Sequence, residues 1–248
     1  MSVDLHNYAK PIWRGDNFRW LREYDRLWDG DKLKYGYLEF VGGDGKHMFH
    51  LLEQHLVDYR QFIGLDHEFA VIFKHRYGGV PWYSVMCPRG EGYLTAETIA
   101  GLDAAGRRAK GLVRPTAVFN FDDTTSVDSE WGSTTDQLRR LVSKTLEQTG
   151  GVCAVLLNYT VDRGLKEKRS ADTFLRHAQR VAKTFGRWGV RVEDLLGSKC
   201  KYLGPLAETS TLGVFGGYQL YRSEGRPNRM ATIRLQWQRS DKAIVWRC

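Results

Sequence analysis

The sequence predicts an α+β domain with a sandwich-like β core flanked by helices, on three observations. Helical and strand periodicities are interspersed without a regular βαβ repeat. The last quarter turns to β patterning, with Ile233, Leu235 and Trp237 alternating against Arg234, Gln236 and Gln238. The chain has 248 residues and 42% hydrophobic content, enough to bury one core without covalent staples. No Pro-rich, Ser-rich or repeated stretch interrupts it, so the expected division is an N-terminal arm over residues 1–31 and one domain over 32–248.

In chain order, Asp16 is a candidate N-cap for an aromatic-faced helix over Asn17 to Trp28, with Phe18, Leu21, Tyr24 and Leu27/Trp28 at helical spacing. Lys34 to Val41 reads as a strand and Gly42-Gly43-Asp44-Gly45 as a turn. Lys46 to Ile63 reads as a helix, with Met48, Leu52, Tyr59 and Phe62/Ile63 inward and Gly64 as its stop. Glu68 to Lys74 and Pro81 to Met86 read as strands, and Thr95 opens a short helix. Val113 to Phe121 is the next strand. Ser133 to Gln148 is helical, with Ser133 and Asp136 in capping-box spacing, and Val152 to Tyr159 is an apolar, buried strand. A helix from Ser170 to about Gly186 sets Phe174, Ala178, Val181/Ala182 and Phe185 against Arg176, Arg180, Lys183 and Arg187. Leu212 to Tyr221, Met230 to Gln238 and Ala243 to Trp246 complete the β-rich tail.

Composition narrows the function classes. No apolar run approaches the roughly 20 residues of a membrane-spanning helix, and the first 13 residues lack the apolar stretch of a secretory signal. An intracellular, soluble protein is expected. Cys87, Cys153, Cys200 and Cys248 are too scattered for a zinc knuckle or a C-x-x-C pair, so they read as reduced thiols. Of 37 cations against 29 acids, 24 are Arg, which suits ordered contacts with carboxylates or phosphates better than mere solubility.

The motifs with chemical potential are few. Gly42 to Lys46 lacks the G-x-x-x-x-G-K-[ST] spacing of a phosphate loop and reads as a hairpin-like turn. His47 and His50 share a helical face, but His55 lies off it and no acid or Cys completes a metal set, so all three are expected as surface histidines. Asp122 and Asp123 close an apolar strand, where metal-dependent nucleases place carboxylates, with Asp128 and Glu130 nearby; a solvated acidic loop accounts for them without catalysis. The best anion site is Arg163, Lys166, Lys168 and Arg169 with Arg176 and Arg180 on the helix that follows.

The layout resembles the polyhedrin of cypoviruses, the matrix protein of viral occlusion bodies. The likeness is carried by overall length, an aromatic helix ahead of a strand-turn-helix (Lys34 to Ile63), the buried strand Val152 to Tyr159, and Ala171-Asp172-Thr173-Phe174-Leu175-Arg176-His177 running into a long helix before a β-rich tail. It implies an antiparallel β-sandwich core flanked by helices, with a projecting N-terminal helix. It further implies homotrimers built into an intracellular crystal around virus particles, in the cytoplasm of an infected host cell, without catalytic duty, required cofactor, metal or membrane, and with nucleotides trapped between copies. Trp13, Phe18, Trp20, Tyr24 and Trp28 are then the assembly contacts. The +8 charge reverses sign once Tyr and Lys titrate above roughly pH 10, consistent with the alkaline dissolution of such crystals. A basic viral nucleic-acid-binding protein, a nucleoprotein or silencing suppressor, is the alternative.

Overall fold

The computed structural model describes residues 36–41, 45–53, 57–79, 83–86, 95–111, 115–149, 152–160, 179–180, 183, 211–215, 218–222, 229–240 and 243–247. Five strands lie side by side and parallel: β1 (Gly36–Phe40), β2 (Phe62–Asp66), β3 (Tyr83–Met86), β4 (Thr116–Ser126) and β5 (Val152–Thr160), in the spatial order 3-2-1-4-5. The sheet continues antiparallel beyond β5 through β8 (Arg229–Ser240), β7 (Tyr218–Arg222) and β6 (Thr211–Phe215). β9 (Ala243–Arg247) pairs with the far half of β8.

This overturns the expected sandwich. Among the described residues there is one mixed sheet with helices on both faces, an α/β architecture, and four helices link the parallel strands. α1 (Lys46–Glu53) follows β1, α2 (Phe69–Tyr77) follows β2, α3 (Ala96–Lys110) follows β3 and α4 (Val127–Gln148) follows β4. Parallel neighbours need such crossovers, and their common right-handedness sends connections that run in opposite directions along the sheet to opposite faces.

Side-chain contacts mark the two faces. Tyr37 and Phe62, stacked at 5.6 Å between centroids, pack with Met48 and Leu51 of α1. On the same face His75 of α2 bonds Ser84 of β3 at 3.0 Å. On the opposite face Gly106 of α3 lies directly over Ile63, and Thr145 of α4 bonds the Cys153 thiol. Strands covered on both sides read as continuous apolar runs, as Val152 to Leu157 does.

Two misread elements hid the repeat. The expected helix from Lys46 to Ile63 is described as helix over Lys46–Glu53, and Phe62 and Ile63 belong to β2, so Gly64 sits inside a strand rather than stopping a helix. The expected strand Glu68 to Lys74 is α2: a short apolar run such as Phe-Ala-Val-Ile-Phe fits either period, and the burial of Ile72 and His75, three apart, selects the helix. Two further boundaries move. β4 runs on through Asp122 and Asp123 to Ser126, and α4 begins at Val127, so Asp128 and Glu130 are helical rather than in a loop. Leu212 to Tyr221 is two strands, β6 and β7, instead of one.

Candidate functional site

In an open sheet of this order the two halves diverge between β1 and β4, and ligands bind beyond the carboxyl ends of the strands at that divide. Glu39, at the end of β1, faces Asn120 of β4 in direct register. Glu39 is 2% exposed, yet its carboxylate is fully engaged. It accepts from the Tyr37 hydroxyl at 2.8 Å, from Asn120 Nδ2 at 3.0 Å, and lies 2.8 Å from His47 Nδ1 through both oxygens. A buried charge is tolerable only when paired and hydrogen-bonded in this way.

His47 is therefore a buried member of the network, 6% exposed, and not the surface histidine expected; His50 is exposed as expected, 3.3 Å from Glu53. The Glu39–His47 contact spans the Gly42-Gly43-Asp44-Gly45 segment. That segment joins a strand to a helix, in the strand-turn-helix order expected from the sequence, and Gly42, Gly43 and Asp44 lie outside the described residues. Gly45 has φ +55°, a left-handed conformation that glycine adopts without steric cost, and its carbonyl accepts the Phe49 N–H at 3.0 Å to start α1.

Two further features complete the rim. Asp66 ends β2, 21 residues beyond Gly45, is 7% exposed, and has Oδ1 fixed by the Glu68 N–H at 2.8 Å. Asn120 is fully buried, and among the described residues its Oδ1 has no hydrogen-bond partner. A buried acceptor left unmatched costs about 1–3 kcal/mol, so it is the atom most in want of a donor from a ligand.

The arrangement comprises a strand-to-helix connection carrying Gly42, Gly43 and Gly45 in its sequence, the N-terminus of α1, and an acid closing the next strand. It departs from the dinucleotide fingerprint G-x-G-x-x-G at the third glycine. Counting from Gly43, that position is Met48, whose side chain is fully buried in the core beside Tyr37 and Phe62. The third glycine serves close helix–strand packing, which a buried methionine prevents. The antiparallel β8 also stands where a dinucleotide fold places another parallel strand.

Of the residues singled out from sequence, Trp13, Phe18, Trp20, Tyr24 and Trp28 lie outside the described residues, as do Arg163, Lys166, Lys168, Arg169 and Arg176. Arg180 is described as helical and exposed. Asp122 occupies a strand position paired with Asn158, and Asp128 and Glu130 lie in α4. Sequence reasoning missed Glu39, Asp66 and Asn120. The available signal was positional: an acid closing one strand ahead of a glycine cluster, and a second acid closing the next strand about 20 residues on. Among the described residues no group of three or more metal-ligating side chains forms. No family model matches the chain, and no curated protein matches it.

Proposed function

We propose that the chain is a Rossmann-like enzyme that binds an adenosine-containing cofactor at the divide between β1 and β4. More particularly, we infer an S-adenosylmethionine-dependent methyltransferase. The observation that carries this reading is the set of glycines in the sequence between β1 and α1, with Gly45 at φ +55°, together with the buried Asp66 closing β2 and Met48 where a pyrophosphate-binding fold needs glycine. A cofactor with one nucleoside and no pyrophosphate meets all three. A parallel 3-2-1-4-5 sheet extended by antiparallel strands after β5 is also the general architecture of methyltransferases of this class, an analogy of fold that supports the reading.

The roles divide by chemistry. Asp66 accepts from the ribose hydroxyls, Gly45 and the start of α1 hold the turn against the cofactor, and Asn120 Oδ1 accepts from a cofactor N–H. Glu39, already saturated, positions Asn120 and ties the turn to the sheet through His47. Bound there, S-adenosylmethionine would supply an electrophilic methyl group to an acceptor atom.

Calorimetric titration with S-adenosylmethionine and S-adenosylhomocysteine tests the reading. Binding of both is expected, with Asp66→Ala weakening it by about tenfold or more, the size of losing a charged hydrogen bond. Absence of binding at millimolar ligand, or preferential binding of a nicotinamide dinucleotide, overturns it. The occlusion-matrix reading took its architecture from a sandwich this chain does not have and keeps the support of composition alone. It forecasts birefringent particles in expressing cells, which microscopy resolves.

A further inference from the structure

Helix α2 turns an aromatic edge outward. Phe69, Phe73 and Tyr77 recur every fourth residue and are 68%, 52% and 74% exposed. Their rings form a ladder, with centroids 6.1 Å apart between Phe69 and Phe73 and 4.5 Å between Phe73 and Tyr77. The helix is already seated by its other side, through buried Ile72 and the His75–Ser84 bond, so the ladder is surplus to its packing. Three adjoining exposed rings mark an interaction surface rather than the scattered apolar residues of an ordinary exterior.

Charge selects the partner. α2 contains no acid, and Lys74 and Arg76 stand exposed among the rings. Arg76 reaches from α2 to β3, donating Nε to the Ser84 carbonyl at 3.2 Å with its guanidinium 5.1 Å from the Tyr83 ring centroid. A second copy of this chain would bring its own +8 charge to a basic face. A flexible polyanion with flat apolar faces answers both the rings and the cations. We propose that the α2 ladder is a docking surface for single-stranded nucleic acid, which would serve as the methyl acceptor: an acceptor nitrogen or oxygen would bond to the methyl carbon as the carbon–sulfur bond of S-adenosylmethionine breaks, S-adenosylhomocysteine would leave, and the acceptor's proton would pass to water. The acceptor role rests on the cofactor reading above; the docking surface does not. Phe69 lies three residues beyond Asp66, so a strand stacked along the ladder leads to the edge of the sheet where the cofactor would sit.

The test is fluorescence anisotropy of the full chain with a labelled single-stranded RNA of about 20 nucleotides, long enough to cover a typical single-strand site. The wild type should bind, with affinity falling steeply as salt rises. Phe73→Ala/Tyr77→Ala should weaken binding about tenfold or more while Tyr77→Phe keeps it, because the stacking face and not the hydroxyl is used. Unchanged circular dichroism and S-adenosylmethionine affinity in the double variant separate loss of docking from loss of fold. The surface is overturned if the wild type does not bind the RNA at low salt, if the double variant binds equally well, or if sedimentation shows a self-association that the double variant abolishes. RNA binding that depends on the ladder without S-adenosylmethionine binding upholds the surface and removes the acceptor role. Binding of both ligands without transfer of a labelled methyl group to the RNA likewise removes only that role.

Discussion

Tyr37 shows how one side chain serves two ends of the argument. Its ring stacks on Phe62 in the core, and its hydroxyl donates to the buried Glu39 carboxyl. Tyr37→Phe keeps the stack and removes the donor. The expected loss is about 1–3 kcal/mol, the cost of leaving a buried acceptor short of a partner, read by urea unfolding. Cys153 is the opposite case, a group made inert by its surroundings. Burial raises its thiol pKa far above the ordinary value, and only the Thr145 hydrogen bond opposes that rise. Alkylation followed by mass mapping should leave Cys153 unmodified in the native protein and modified after unfolding.

Two carboxyls give acid-side stability opposite slopes. Burial pushes the Asp103 pKa above 3.8, against its bonds from Thr116 and Arg107. Its contribution is fully present below pH 3.8 and fades as pH rises through the raised value, because the folded state holds the proton more tightly. The Arg60 side chain lowers the Asp58 pKa, so that contribution is present above pH 3.8 and disappears as pH falls through the lowered value. Unfolding free energy measured against pH should therefore fall less on acidification in Asp58→Asn than in the wild type. Asp103→Asn should instead steepen the fall on acidification just above pH 3.8, because the variant lacks the stability that Asp103 gains as it takes up its proton. Identical pH profiles for variants and wild type would count against both assignments.

At the scale of elements, the start of α3 was legible, while its 15-residue length was not. Thr95 accepts the Thr98 N–H at 3.0 Å as N-cap, and Gly111, at φ +65°, closes the helix by donating to Arg108 O at 3.2 Å. Thr95→Ala should cost about 1 kcal/mol. The middle of α3 was not legible, since Gly106 looks like a helix flaw. A Cβ there would come within 2.7 Å of Ile63 Cγ2, so the glycine is what lets α3 settle on β2. Gly106→Ala should lower thermal stability: overpacking a rigid core costs about 1–3 kcal/mol, against about 1 kcal/mol gained in helix propensity. The far end of α1 and the whole of α2 were beyond local reasoning, although the start of α1 at Lys46 was legible. Residues 46–63 carry apolar positions at helical spacing, and only the pairing of Phe62–Leu65 with β1 places the last of them in a strand. In α2 the apolar rings lie on the solvent side, which inverts the usual sign of the pattern.

For the whole molecule, the cofactor reading forecasts a global effect. A ligand bound to the folded state at about 100 times its Kd adds about 2.7 kcal/mol to stability, so S-adenosylhomocysteine should raise the melting temperature by several degrees. Gly45→Val should remove that rise, because a β-branched side chain does not fit a left-handed backbone at the start of α1. A ligand-dependent rise in Gly45→Val equal to that of the wild type would place the cofactor elsewhere.

The sequence by itself determined the apolar strand Val152 to Tyr159, the alternating strand at Met230 to Gln238, the helix opened by Thr95 and a basic, arginine-rich character, because each is written in periodicity, capping or charge within one segment. Only the tertiary structure decided that these strands join one mixed sheet rather than a sandwich. It alone brought Glu39, His47 and Asn120 together beside Asp66. Strand order and crossover are relations between segments far apart in the chain, and the hydrogen bonds and burial that fix them have no local signature.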